Sequence, residues 1–321
     1  MVDVTVILCT YNRCQSLAKV LDNVAAQTLP KWIEWEVIVV DNNSSDETKS
    51  VVDGFCRRYT ERFRYLFESN QGLSYARNAG LRKARGEVVA FIDDDVTIEP
   101  TWLRNLTGPF RNGEWVGVGG RIVPDWPCTP PCWVPQNEWY GMAPLVIFDL
   151  GLEAVPLRDA PFGANMAFRR RLFERYGNFR TDLGRSAKNL LGNEDTEFGR
   201  RLLAAGERLK YEPTAVVHHP VTQNRLKREY FLTWWFNKGR ADIRETGVAA
   251  HTKWFVSGIP LYLFRRLVVG TVRWMFALDP SRRFSRRLSV WLAAGMTVEF
   301  YRQSREVRAQ TRKTPVRMNT K

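Results

Sequence analysis

Apolar positions in the first hundred residues switch repeatedly between two periods. Val4-Thr5-Val6-Ile7-Leu8 is a short, β-branched apolar run, which predicts a buried strand. Leu17, Val20, Leu21 and Val24 then recur at helical spacing. Glu36–Val40 predicts a second strand, ending in Asp41. Ser44-Ser45-Asp46-Glu47 has the form of a capping box opening a helix that carries Val51, Val52 and Phe55. Phe63–Phe67 predicts a third strand, Ser74–Ala84 a helix stopped by Gly86, and Glu87–Ile92 a fourth strand running into Asp93-Asp94-Asp95. Repeated βα units of this length define the α/β class, a mostly parallel sheet flanked by helices. In such sheets ligands bind beyond the carboxyl ends of the strands. Asp41 and the Asp93–Asp95 cluster both fall there.

From Pro124 to Pro161 the periodicity dissolves into sequence rich in Pro, Trp and Gly, long enough to predict a functional loop. Phe162–Phe168 predicts a short strand, Arg169–Tyr176 a short helix, and Glu194–Ala205 a longer helix stopped by Gly206. Arg208–Val217 predicts strands broken at Pro213 and leading to His218-His219. Further on, Trp254–Phe264 and Leu267–Leu278 are apolar runs, but Arg265, Arg266 and Arg273 interrupt them. Neither reaches the roughly 20 apolar residues of a spanning helix. Two readings fit: interfacial amphipathic helices with Trp and Phe in lipid and Arg at head groups, or a helical cap on the core. Periodicity does not separate them. From about Gln303 the tail is polar and basic, which predicts fraying.

Charge sharpens the contrast between the ends of the chain. Residues 1–220 carry 27 Lys+Arg against 28 Asp+Glu, whereas residues 221–321 carry 21 against 6. The net +14 of the 321-residue chain therefore belongs to the last third, which suits a polyanionic surface such as anionic lipid or nucleic acid. No DNA- or RNA-binding signature accompanies the arginines, so nucleic acid is not the expected partner. The five cysteines are scattered and odd in number, as free thiols in a reducing compartment would be. The chain starts directly on a strand pattern with no basic n-region, so no secretory signal is expected. The expected location is cytoplasmic, peripheral on the cytoplasmic face of the membrane.

Three consecutive aspartates after a buried strand are costly unless positive charge sits among them. Extended backbone would turn Asp93 and Asp95 one way and Asp94 the other. A carboxylate pair on one face could hold Mg²⁺ or Mn²⁺, with phosphate oxygens completing the shell. Glu194-Asp195 opens an amphipathic helix, where acidic residues complement the dipole. Transfer to a hydroxyl would need one such carboxylate to accept the proton. His218, next to His219 just past a strand end, is a candidate metal ligand or phosphate contact.

Six segments follow one another in order: Val-Ile-Leu-Cys-Thr-Tyr-Asn-Arg (6–13), Val-Ile-Val-Val-Asp-Asn-Asn-Ser-Ser-Asp (37–46), Asn-Gln-Gly-Leu-Ser-Tyr-Ala-Arg-Asn-Ala-Gly (70–80), Phe-Ile-Asp-Asp-Asp (91–95), Gly163-Ala-Asn165 and Glu194-Asp195. Across roughly residues 2–220 the sequence thereby resembles the family 2 glycosyltransferases of the GT-A fold. The resemblance implies a catalytic domain over 1–220, with a nucleotide-sugar half of about 1–123 and an acceptor half of about 124–220. The basic, aromatic-rich helical extension of 221–321 lies outside it. The implied reaction moves a sugar from a nucleotide-diphosphate-sugar to an acceptor hydroxyl, with inversion and a divalent cation. Membrane association through the basic extension would suggest a saccharide or lipid-linked saccharide of the cell envelope as the acceptor class.

The resemblance also implies roles. Thr10, Arg13 and Asp41 would bind the nucleobase; Gly72, Arg77 and Asn78 would lie along the nucleotide. Asp93 and Asp95 match the Asp-x-Asp motif, Asp95 as metal ligand and Asp93 nearer the ribose, with Asp94 in the nucleotide-binding set. Asp195 matches the catalytic base, Glu194 being the runner-up. Gly163 and Asn165 match a loop near donor sugar and acceptor. A nucleotidyltransferase is one alternative, but Thr10-Tyr11-Asn12-Arg13 stands where its Gly-rich phosphate loop would be, and no G-x-G-x-x-G of a dinucleotide enzyme follows strand one. The other alternative is a basic nucleic-acid-binding protein using the C-terminal third.

Overall fold

The computed structural model describes residues 2–134, 139–186, 191–247, 254–256 and 259–313. Residues 135–138 of the irregular stretch, 257 and 258 of the first apolar run, and the tail beyond 313 lie outside the described residues. The chain forms two compact units, Met1–Leu226 and Lys227–Lys321.

The first unit opens with the expected alternation: β1 (Val4–Thr10), α1 (Cys14–Ala25), β2 (Trp35–Asp41), α2 (Thr48–Arg58), β3 (Phe63–Phe67), α3 (Leu73–Lys83) and β4 (Val88–Ile92). It continues through β5 (Thr97–Ile98), α4 (Trp102–Thr107), β6 (Gly117–Asp125), β7 (Val155–Pro156), β8 (Asn165–Arg169), α5 (Arg171–Tyr176), α6 (Glu194–Ala204) and β9 (Leu209–Pro220). The sheet order is β3-β2-β1-β4-β8-β6-β9-β5, with β7 on β9. Pairing is parallel from β3 to β4. It turns antiparallel at β4/β8 and β8/β6, and is parallel again at β6/β9. Every residue of β4 is buried, as the continuous apolar run of a strand covered on both faces requires. Against it, Phe91, Phe168, Phe173, Phe179 and Phe198 form a chain of ring contacts, with Phe173 and Phe198 stacked at 4.4 Å.

Two local expectations change in this unit. The capping box does not form: Glu47 is the N-cap of α2 and makes no side-chain cap hydrogen bond. Asp46 accepts instead from the backbone N–H groups of Thr48 and Cys14 at 3.0 Å each, tying α2 to the start of α1. Pro213 does not break the strand. It sits in a bulge, where β6 register jumps from Gly120↔Glu212 to Arg121↔Val216, and β9 runs through all 12 residues.

The second unit holds α7 (Arg228–Thr246), a two-residue antiparallel pair of β10 (Phe255–Val256) and β11 (Ile259–Pro260), α8 (Leu261–Met275) and α9 (Pro280–Lys313). The tail expected to fray from Gln303 is helical to Lys313. Residues 302–313 lack Gly and Pro and are mostly strong helix formers, and the next breaker is Pro315. No described helix is long and apolar enough to cross a membrane.

Candidate active site

The carboxyl ends of the parallel strands deliver most of the expected residues to one region. Thr10 ends β1 and is the register partner of Asp41 at the end of β2. The Asp41 carboxylate accepts from the Ser44 N–H and from the Tyr65 hydroxyl, both at 2.8 Å. Each oxygen keeps a further lone pair. Arg13 turns to the aspartate cluster. Its guanidinium donates to Asp94 Oδ1 at 3.1 Å and to Asp95. Three aspartates in a row attract the nearest cation more strongly than one already satisfied carboxylate does.

Asp93, Asp95 and His219 each offer a ligand atom, and these atoms lie within 4.8 Å of one another. His219 Nε2 is 3.8 Å from Asp95 Oδ1. The expected histidine was His218, and the structure substitutes its neighbour. Alternation along β9 buries His219 and turns the half-exposed His218 to the other face. Burial opposes ionisation of Asp95, yet His219 and Arg13 hold its carboxyl below the usual range. Burial pushes the His219 imidazole down, toward the neutral form that can ligate a metal. Asp94, with the least water, is pushed up to about 7 by burial against the pull of Arg13.

A second cluster adjoins the first. Arg77, buried on α3, donates to Glu194 Oε1 at 2.7 Å, and its other terminal nitrogen is 3.9 Å from Asp93 Oδ1. Its guanidinium lies 5.9 Å from the Phe91 ring centre and 5.6 Å from that of Phe179. Burial works against the Arg77 charge, but Glu194, Asp195 and Asp93 keep it ionised. Burial and the neighbouring Asp195 push Glu194 up to about 7, opposed by Arg77. Asp195 is half-buried at the start of α6. Its Oδ2 accepts from the Gly163 N–H at 2.6 Å and its Oδ1 from the Thr196 N–H at 2.7 Å. Position 163 leaves no room for a side chain: a Cβ there would lie 2.1 Å from Arg77 Nη2 and 2.9 Å from Asp195 Oδ2.

Asn78 follows Arg77 on α3, and Asn165 is the register partner of Ile92, directly before Asp93. Asn78 donates to the Phe179 carbonyl at 2.8 Å and accepts from its N–H at 3.1 Å, so both ends of its amide are engaged with one backbone residue. Asn165 is fully buried. Its Oδ1 accepts from the Trp102 indole N–H at 2.9 Å, and its Nδ2 donates to the carbonyls of Arg121 and Ala215 at 2.9 and 2.7 Å. Those two carbonyls flank the β6/β9 bulge, so Asn165 satisfies acceptors that the ladder leaves open. Both asparagines thus hold backbone segments in place. Gly72, at φ +147°, donates its N–H to Asn42 Oδ1 at 2.8 Å. Asn42 also donates to the carbonyls of Glu68 and Asn70 at 3.1 and 2.7 Å, which fixes the 68–72 turn. Sequence reasoning assigns Asn42 no role; the signal that could have found it is its place directly after strand-end Asp41.

Comparison with known proteins agrees with this architecture. The sequence model of glycosyl transferase family 2 matches residues 5–177. A glucosyl-dolichyl phosphate glucuronosyltransferase of Haloferax volcanii is 31% identical over 238 residues, 72% of this chain and 74% of that protein. The succinoglycan biosynthesis protein ExoM of Rhizobium meliloti is 28% identical over 249 residues, 76% of this chain and 75% of that protein. Among solved structures, the mannosyltransferase PcManGT from Pyrobaculum calidifontis, in complex with GDP-Man and Mn²⁺, superposes with a TM-score of 0.56 at 20% identity, over 94% of this chain and 75% of that one. GalNAc-T7 with UDP, GalNAc and Mn²⁺ gives 0.58 at 16% identity, over 98% and 58%. With the family pattern covering more than half of its length, the chain belongs to glycosyl transferase family 2 and is a nucleotide-sugar-dependent glycosyltransferase of the GT-A fold.

Proposed function

We propose that the protein transfers a sugar from a nucleoside-diphosphate-sugar to a hydroxyl of a saccharide or lipid-linked saccharide of the cell envelope, with inversion and with the help of Mn²⁺ or Mg²⁺. The carrying observation is adjacency: Arg77 lies between Glu194 at 2.7 Å and Asp93 at 3.9 Å, linking the Asp93/Asp95/His219 group to Asp195. Two carboxylates and a neutral imidazole fit a divalent cation of this kind. The pull of Asp94 and Asp95 on Arg13 reflects how strongly this corner favours positive charge. When bound, the cation would offset charge developing on the departing diphosphate.

The chain's own residues supply the rest of the reading. Asp195 is the catalytic base: half-buried, oriented by two backbone N–H groups, and left with lone pairs for the acceptor hydroxyl. Glu194 is committed to Arg77 and holds that cation toward the donor. Thr10 and Asp41 face the nucleobase, the free Asp41 lone pairs accepting from a ring N–H. Inversion follows if Asp195 draws the hydroxyl to the face opposite the leaving group. The names of the relatives, one acting on a glucosyl-dolichyl phosphate and one in succinoglycan biosynthesis, support an envelope or lipid-linked acceptor. Mn²⁺ bound to both structural neighbours supports the cation.

The test is a panel of nucleotide sugars with Mn²⁺ or Mg²⁺, on the wild type, Asp95→Ala and Asp195→Ala. The expected result is one donor that binds only with metal, loss of that binding in Asp95→Ala, and retained binding without turnover in Asp195→Ala. A trapped covalent glycosyl-enzyme, or folded protein that binds no nucleotide sugar, overturns the scheme.

A further inference from the structure

Helix α8 exposes the side that a water-soluble unit would normally hide. Of its 15 residues only Leu263 is buried. Leu261, Phe264, Val268, Val272 and Met275 are 41 to 57% exposed. Their spacing of three or four places them on one stripe of the helix. Phe276 and Leu278, 76% and 98% exposed, continue the apolar surface past the helix end. A contiguous apolar surface of this kind marks a partner or a membrane.

One flank of the stripe is cationic. A groove of about 530 Å³ is lined by Tyr262, Arg265, Arg266, Val269 and Arg273 of α8 and by Arg286 of α9. Among the described residues none of these four arginines has a carboxylate within ion-pair distance. Arg286 donates to the Arg273 carbonyl at 2.7 Å, and Arg266 reaches only the Met296 sulfur at 3.5 Å. Residues 261–290 contain seven arginines and one acid, Asp279. Elsewhere in the same unit a single acid, Glu299, takes three arginines, Arg240, Arg244 and Arg302. An uncompensated arginine cluster repels itself until an external anion meets it.

We propose that α8 and the first turns of α9 dock on an anionic phospholipid bilayer. The stripe enters the boundary between head groups and acyl chains, and Arg265, Arg266, Arg273 and Arg286 take lipid phosphates. The helix lies in the interface plane rather than across it, being about 22 Å long by its residue count. Nucleic acid would meet the arginines but leave Phe264, Val268, Val272 and Met275 in water. A second copy of the chain would cover the stripe but bring like charges together. A lipid surface satisfies both halves. The inference stands apart from the donor chemistry above.

The test is flotation of the full-length protein with vesicles of phosphatidylcholine alone or mixed with phosphatidylglycerol. Binding is expected to be at least tenfold stronger to the mixed vesicles and to weaken with salt. Arg265→Glu with Arg273→Glu should lower partition at least about twentyfold, taking roughly fivefold for each arginine lost. The Lys–Lys double variant should retain most of it. Phe264→Ser with Val272→Ser should also release the protein from mixed vesicles. All four positions are exposed, so circular dichroism should be unchanged. Equal binding to both vesicle types overturns the proposal, as does folded protein that binds neither. Retention on RNA without vesicle binding overturns it too, as does a dimer that the serine pair dissolves.

Discussion

Gly163 shows how narrowly the chemistry is built. Its N–H orients Asp195, yet a methyl group in its place would stand 2.1 Å from an Arg77 nitrogen. Gly163→Ala must displace the guanidinium, and a displacement on the order of 1 Å at a reacting site costs roughly 10²-fold in turnover. Asp195→Asn keeps the shape and removes the proposed base, for an expected loss of about 10²- to 10⁴-fold in kcat with donor affinity retained. Steady-state kinetics on both variants, with donor binding measured separately, checks this pair. Asn165→Ala should behave differently. It orphans the Trp102 indole N–H and the Arg121 and Ala215 carbonyls, for a stability loss of about 3 kcal/mol. Urea unfolding reads that loss; unchanged stability with a raised acceptor KM would restore Asn165 to the binding loop. That Asp93 and Asp95 would stand at a strand end and Asp195 at a helix start was legible from local pattern, whereas Arg77 and Gly163 were picked out by the family resemblance alone. The hydrogen bonds of Asn78 and Asn165 to Phe179, Trp102, Arg121 and Ala215 were not legible, because those partners come together only in the fold. Choosing His219 over His218 needed the register of β9, which follows a bulge that no periodicity reveals.

The first four strands could be read at sight, since continuous β-branched runs between helical repeats have few other structures open to them. Strand β6 could not. It holds Gly117, Gly119 and Gly120, which lower strand propensity, but the fold leaves no room for side chains there. A Cβ on Gly117 would meet Leu209 and Phe168 at 2.6 and 2.7 Å, and one on Gly120 would meet Asn165 Nδ2 at 2.2 Å. The demand is tertiary, so local pattern hides it. Between α7 and α9 the element-level determinant is a single acid. Glu299 is fully buried and pairs with Arg240 and Arg244 of α7 and with Arg302 one turn on. Glu299→Gln leaves two or three guanidiniums facing a neutral group, which costs about 3–5 kcal/mol for a broken buried pair. Burial opposes ionisation, but Arg302 and Arg244 bring the Glu299 carboxyl down to about 2, from the 4.5 of an unperturbed glutamate. A depressed acid contributes stability that is full above its unfolded value and fades as pH falls toward the folded one. The α7–α9 pairing should therefore weaken as pH falls from 4.5 to about 2, and Glu299→Gln should flatten that slope. Helical circular dichroism during denaturant titrations across this window measures it.

On the scale of the whole chain, chemistry and charge are separated. Residues 1–226 hold 28 Lys+Arg and 28 Asp+Glu, leaving 20 against 6, or +14, for residues 227–321. The candidate active site thus lies in the neutral unit, and its own inventory is acidic. Asp93, Asp94, Asp95, Glu194 and Asp195 gather there against Arg13, Arg77, Arg225 and a His219 whose burial disfavours its charge. A nucleoside diphosphate adds more negative charge to that corner. Arg77 is committed to Glu194, Arg13 to Asp94 and Asp95, and Arg225 stands 3.4 Å from the His219 ring; on the proposed reading the diphosphate recruits a further cation from solution. Ligand binding stabilises a fold by RT ln(1 + [L]/Kd), about 2.7 kcal/mol at a hundredfold excess over Kd. For a domain of this size that raises the melting temperature by roughly 5–10 °C. The rise is expected with nucleoside diphosphate and Mn²⁺ together, not with the nucleotide in EDTA, and not in Asp95→Ala with both present. Thermal shift decides between two ways of holding the leaving group. An equal rise in EDTA means that Arg13 and Arg77 release their carboxylates and grip the diphosphate themselves. A rise that needs the metal means that the aspartates keep their arginines and recruit the cation.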